Sequence, residues 1–217
     1  MGNNASWMEV LPHDVVSAYI DVVNNLSLVS VGSGLGHFES IYEKKSGRVI
    51  TCVDPAPYSW NTGAPSRLPD YPTVDDLLKA KPELKSNCTL LLFWASPNNS
   101  TYDVDAILKL DPQNIVIVYE SIGAAGSQYL HAWLQSIGAP NGNSIGKSIV
   151  YDEIPHVYHF LSSYEMGTRG FTDNTKCVAL ISKDKNLDVR DVPTRDYDQA
   201  PPRVQRQNRD IDYKFSM

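Results

Sequence analysis

The sequence has no apolar stretch of membrane-spanning length, few cysteines and no surplus of positive charge. The missing apolar stretch removes any helical membrane span from the expected architecture. The start, Met1-Gly2-Asn3-Asn4-Ala5-Ser6-Trp7, has neither a basic opening nor an apolar core, so no secretory leader is read there and the expected compartment is the cytoplasm. The sequons at Asn4, Asn25, Asn87, Asn98 and Asn99 then carry no weight. Met1-Gly2 with Ser6 matches a myristoylation pattern, a short motif with many chance matches. The three cysteines, Cys52, Cys88 and Cys177, lie far apart in apolar runs and read as small buried hydrophobes, which argues against a disulfide framework or zinc site. A net charge of -6 provides no global field for nucleic acid. No internal repeat is present.

What remains is an ordinary globular balance, 42% hydrophobic and 20% charged in 217 residues, enough for one well-buried core. Val15, Val16, Tyr19, Ile20 and Val23 recur with helical spacing behind Asp14. Residues 26–31 form an apolar run that ends directly at glycines, as a buried parallel strand enters a loop. A helix follows from about Gly36 to Lys45, with Phe38, Ile41, Tyr42 and Lys45 on one face, Glu39 in its first turn and Gly47 as its stop. Residues 48–53 are the second strand. The proline-rich segment 55–72 is a long ordered loop, and 71–74 is expected as a short third strand ahead of a helical turn over 74–80.

Leu90 to Trp94 is the most apolar run and the expected central fourth strand, closed by Ala95-Ser96-Pro97-Asn98. Residues 104–110 read as helix, 114–120 as the fifth strand, and Tyr129, Leu130, Trp133, Leu134 and Ile137 as a helical stripe ended by Gly138. Two strand-like stretches, 154–162 and 176–182, have no helix between them and imply an antiparallel hairpin. The expectation is an α/β fold: a Rossmann-like, doubly wound, mostly parallel seven-stranded sheet with a C-terminal antiparallel hairpin, over residues 1–182. Residues 183–217 read as a polar, flexible or surface-wrapping tail.

Ligands of such sheets bind beyond the carboxyl ends of the strands, where strand order reverses. Gly32-Ser33-Gly34-Leu35-Gly36 falls there. Glycine permits the sharp bend and close approach, and the following helix start offers amide donors. A dinucleotide fingerprint would want glycine at position 37, which is His37. Asp54 ends the second strand, where a carboxylate can accept ribose hydroxyls. Val29-Ser30-Val31-Gly32-Ser33-Gly34-Leu35-Gly36 followed by Val53-Asp54 resembles motif I and the acidic motif of class I S-adenosylmethionine-dependent methyltransferases, and the terminal hairpin is similar to that family's last two strands.

The resemblance, over residues of about 14 to 182, implies that Gly32, Ser33, Gly34 and Gly36 hold the methionine part of S-adenosylmethionine, Asp54 the ribose, and Val74 and Asp75 the adenine. The family often has an acid two positions before the first glycine, where this chain has Ser30. Its acceptor-orienting motif follows the fourth strand, but the segment Phe93 to Asn98 lacks the order found in amino-methylating members. A looser similarity of 90–98, Tyr102-Asp103 and 120–127 to a group of methyltransferase-like proteins assigns no substrate.

Candidates for the acceptor side are Trp94, Asn98, Tyr119 and Glu120, all at expected strand ends. For Trp94 and Tyr119 the competing reading is plain packing; for Glu120 it is a cap on the turn that follows. His156 and His159, three apart in a strand, face opposite sides and cannot share a metal. His37 reads as a solvated helix-start histidine. Arg203 to Arg209 could meet phosphates, the only foreseen route to nucleic acid, although the tail's aspartates offset its cations. The expected function is methyl transfer to a small molecule or protein. Its rivals are a non-catalytic relative serving as binding or scaffold module and, more weakly, a nicotinamide-dependent oxidoreductase. Oligomeric state is not legible. A bend closed by the chain's own side chains, or Asp54 turned away, would leave only an architectural role.

Overall fold

The computed structural model describes residues 13–23, 25–57, 65–93, 101–120, 126–139, 154–166 and 176–194. In chain order these form α1 (His13–Asp21), β1 (Ser27–Val31), α2 (His37–Ser46), β2 (Ile50–Val53), α3 (Val74–Ala80), β3 (Cys88–Phe93), α4 (Tyr102–Leu110), β4 (Asn114–Glu120), α5 (Gln128–Ser136), β5 (His159–Met166) and β6 (Lys176–Ser182). A short 3-10 turn over Pro82–Leu84 leads into β3.

Among the described residues the sheet has six strands rather than seven, in the order β2-β1-β3-β4-β6-β5. The first four pair in parallel, while β6 runs antiparallel between β4 and β5. The expected third strand over 71–74 shrinks to one parallel bridge, Val53 to Tyr71. The Asp70 carboxylate takes the Cys52 N–H that a further ladder step would use, and Pro72 has no N–H to donate. Thr73 then accepts from the Asp76 amide and starts α3, with Asp75 and Asp76 in its first turn. Counting that bridge as a vestigial third strand, the parallel part has the doubly wound order 3-2-1-4-5.

Every residue of β3 is buried, as its unbroken apolar run predicts for a central strand. Two apolar layers cover the sheet. On one face Val16, Tyr19 and Ile20 of α1 and Phe38 and Tyr42 of α2 pack on Leu28, Ile50, Leu91 and Val116. On the other, Leu77, Val104, Ile107, Leu130, Trp133 and Leu134 of α3, α4 and α5 pack on Val29, Leu90, Leu92, Ile115 and Ile117. Each such side chain contributes about 2 kcal/mol by leaving water. The α5 stripe follows from its 3.6-residue spacing, with Ser127 as N-cap accepting from Leu130 N–H. Cys52, Cys88 and Cys177 are buried thiols, none of them joined in a disulfide.

The first strand of the hairpin starts later than its sequence suggests. Ile154 is buried in the core and Tyr158 donates its hydroxyl to the Pro112 carbonyl at 2.9 Å, so this stretch plugs the sheet's end before β5 begins at His159. His156 therefore lies outside the strand, and both histidines are exposed. Residues 183–194 cross the α1 face: Val192 is buried and Tyr19 Oη donates to the Pro193 carbonyl at 3.0 Å. No helix among the described residues is long and apolar enough to cross a membrane. Arg203 to Arg209 lie outside the described residues.

Candidate functional site

The strand order reverses between β1 and β3: β1 continues into α2 on one face of the sheet and β3 leads to α4 on the other. In a doubly wound sheet this reversal is where the carboxyl ends of the strands border the ligand crevice. The bend from Gly32 to Gly36 lies at its edge. Gly32, Gly34 and Gly36 have φ of 77°, 56° and 64°, the left-handed region that glycine enters without cost. Gly32 and Ser33 donate to the Val53 carbonyl at 2.8 and 3.5 Å, and Gly36 donates to the Ser33 carbonyl at 3.0 Å. The bend thus ties β1 to the end of β2.

Asp54 turns toward the bend. Its Oδ2 accepts from Gly34 N–H and its Oδ1 from Ala56 N–H, each at 2.8 Å. A carboxylate has about four acceptor positions, so two remain on a half-buried group already fixed in place. Gly36 caps α2 with no side-chain hydrogen bond, which leaves that helix start without a side-chain acceptor. Around it, His37 shares a 2.6 Å hydrogen bond with Ser66, and Ser66 and Arg67 donate their amides to the Leu35 carbonyl. A Cβ at Gly36 would come 2.9 Å from the Arg67 carbonyl. Arg67 itself pairs with Glu43 and Asp70.

Two features go beyond the sequence reading. First, α2 turns Glu39 inward, where Ile41 was expected, and Ile41 is 38% exposed. Ser30, in the place where the resembling family often has an acid, donates its hydroxyl to Glu39 Oε1 at 2.7 Å. Burial pushes the Glu39 carboxyl up to about 6, against the pull of Ser30, its own amide and Arg67. Its Oε2, and the hydroxyl of Ser33, are buried without a hydrogen-bond partner. Second, the start of α4 reaches across the crevice. Tyr102 lies against Gly32, with its hydroxyl 2.8 Å from where a Cβ would stand.

The next residue, Asp103, is 1% exposed and accepts from Ser127 N–H and Val104 N–H, each at 2.7 Å, joining the starts of α4 and α5. Burial raises its pKa, opposed by the bonds from Ser127. Neither Glu39 nor Asp103 had a local signal beyond a first-turn acid, because each is held by an element distant in sequence, β1 for Glu39 and the start of α5 for Asp103.

The structure thus brings Gly32, Ser33, Gly34, Gly36 and Asp54 together. Val74 instead enters the core, and Asp75 pairs with Lys109 at 2.6 Å on the surface of α3 and α4. Tyr119 is fully buried at the end of β4, edge-on to His131 with ring centroids 6.4 Å apart, which is a packing role. Glu120 closes β4 opposite Lys176. Trp94 and Asn98 lie outside the described residues. Among the described residues no cluster of histidine, cysteine and acid could hold a metal ion.

No protein-family model and no curated protein sequence matches the chain. Solved structures resemble it distantly. M. capricolum TrmK in complex with S-adenosylhomocysteine is 11% identical with a TM-score of 0.39, over 77% of this chain and 68% of that one. The bifunctional kinase-methyltransferase WbdD is 11% identical with a TM-score of 0.39, over 79% of this chain and 39% of that one. Likeness at this distance assigns no ligand, so the functional argument rests on the residues of the crevice.

Proposed function

We propose that the chain binds S-adenosylmethionine at the bend after β1 and transfers its methyl group to a small molecule or a protein side chain. The observation that carries the proposal is Asp54: a carboxylate at the end of β2, oriented by Gly34 N–H and Ala56 N–H, with acceptor positions left for a ribose diol. Beside it the left-handed glycines and the uncapped start of α2 suit the amino-acid end of the same ligand. The cofactor supplies an electrophilic methyl on a sulfonium, so the chain need only hold and align it. Trp94, Asn98 and Glu120 are the candidates for the acceptor side. Calorimetry with S-adenosylmethionine and S-adenosylhomocysteine tests this. Binding that is lost in Asp54→Ala supports the proposal, while no binding by folded protein, or equal binding by the variant, removes it.

A second reading, a binding or scaffold module without transferase activity, is favoured by one observation. The amides of Gly32, Ser33 and Gly36 already bond to backbone carbonyls, and Tyr102 covers Gly32. Incorporation of labelled methyl from S-adenosylmethionine into any component of a cell extract eliminates that reading.

A further inference from the structure

We propose that Tyr102 is the ligand-facing wall of this crevice, its ring receiving the sulfonium of an adenosyl amino acid; the inference rests on the cofactor reading above. The two sides of the bend differ in chemistry. On the β2 side stands Asp54, an oriented acceptor for hydroxyls. On the β3 side stands Tyr102, whose hydroxyl and two ring carbons lie 2.8, 3.3 and 3.4 Å from the Cβ position of Gly32. A ligand whose ribose sits at Asp54 and whose amino-acid chain lies along the bend brings the sulfonium between them to Tyr102.

The ring is also held in place. Asp103, next along the chain, is anchored to the starts of both α4 and α5, so the backbone that carries Tyr102 is fixed from two helices. Tyr102 is only partly buried, which leaves part of its surface facing outward. An electron-rich ring face in a partly dry crevice attracts a cation that has shed water. A neutral thioether gains only the contact. The side chain therefore distinguishes S-adenosylmethionine from its demethylated product, which favours product release. If Tyr102 instead plugs the bend, its removal opens the site, so the sign of the effect decides between wall and plug.

The test is calorimetric titration of the full chain and of Tyr102→Ala, Tyr102→Phe and Asp54→Ala with both ligands, each variant's fold being checked by circular dichroism. The expected result is that Tyr102→Ala weakens S-adenosylmethionine about tenfold or more and S-adenosylhomocysteine less, while Tyr102→Phe, which keeps the ring, stays within about threefold. Unchanged or tighter binding by Tyr102→Ala, an equal loss for both ligands, or a fall in Tyr102→Phe as large as in Tyr102→Ala overturns the inference. If the wild-type chain and every variant bind neither ligand, the cofactor reading fails first. Binding that disappears in Asp54→Ala but ignores Tyr102 leaves the cofactor reading standing and this inference refuted.

Discussion

Three carboxyl groups at the two ends of the sheet are held in opposite ways. At the end where β3 and β4 begin, Asp111 receives the Lys183 ammonium at 2.5 Å and the Ser86 hydroxyl at 2.7 Å. Burial there pushes its pKa upward, but these bonds outweigh it and hold the carboxyl below its ordinary value. At the end where β1, β3 and β4 finish, Glu39 and Asp103 are each 1% exposed, and burial raises both. Asp103 rests on amides and a hydroxyl, and Glu39 on Ser30, with Arg67 acting only at a distance. An ion pair that lowers a carboxyl pKa stabilises the fold. Carboxyl groups kept dry and raised are a burden to it and collect where a protein binds or reacts. The crevice lies at the burdened end.

The sharpest way to break this comparison is Asp103→Ala, which strands the Ser127 and Val104 amides at the meeting of two helix starts. A loss of about 3–4 kcal/mol is expected in chemical denaturation, because buried donors of a charged acceptor lose their partner. Gly32→Ala follows, with roughly 2–3 kcal/mol lost in the same measurement. A side chain must enter the left-handed region at φ 77° and meet the Tyr102 hydroxyl at 2.8 Å.

Glu39 gives the next effect and a distinctive sign. Its folded pKa of about 6 lies above the ordinary 4.5, so its carboxyl favours folding most when protonated in both states, below that ordinary value. As pH rises through this window the unfolded chain releases its proton first, and stability falls by about 2 kcal/mol. Thermal melting against pH should show this decline, and Glu39→Gln should flatten it. Asp111→Asn, which tolerates the left-handed φ of 48° found there, is the smallest, below about 1 kcal/mol, because the pair with Lys183 is partly solvated. Its pH dependence runs the other way: the contribution is present above the ordinary carboxylate value and is lost as acid protonates Asp111. Equal losses for Asp103→Ala and Asp111→Asn would erase the contrast between the two ends.

Much of the fold was legible in local pattern. The apolar run from Leu90 to Trp94, the glycine stop at Gly47, the helical stripe of α5 and the second hairpin strand over 176–182 each carry a short-range signal. The expected third strand failed because Asp70 and Thr73 satisfy neighbouring amides before a ladder can extend. The expected face of α2 failed at two positions, Ile41 and Lys45, both exposed, since Ser30 on β1 supplied a partner that made an inward Glu39 tolerable. The hairpin was right in kind and misplaced at its start, because Tyr158 is held at the Pro112 carbonyl.

By itself the sequence determined the alternation of strands and helices, the left-handed bend and an acid at the end of β2, because these depend on residues a few positions apart. Tertiary structure alone decided that Tyr102 covers Gly32, that Glu39 is buried on Ser30 and that Asp103 joins two helix starts. Side chains from separate crossovers meet only once the sheet has set the distance between them, and no local periodicity encodes that distance.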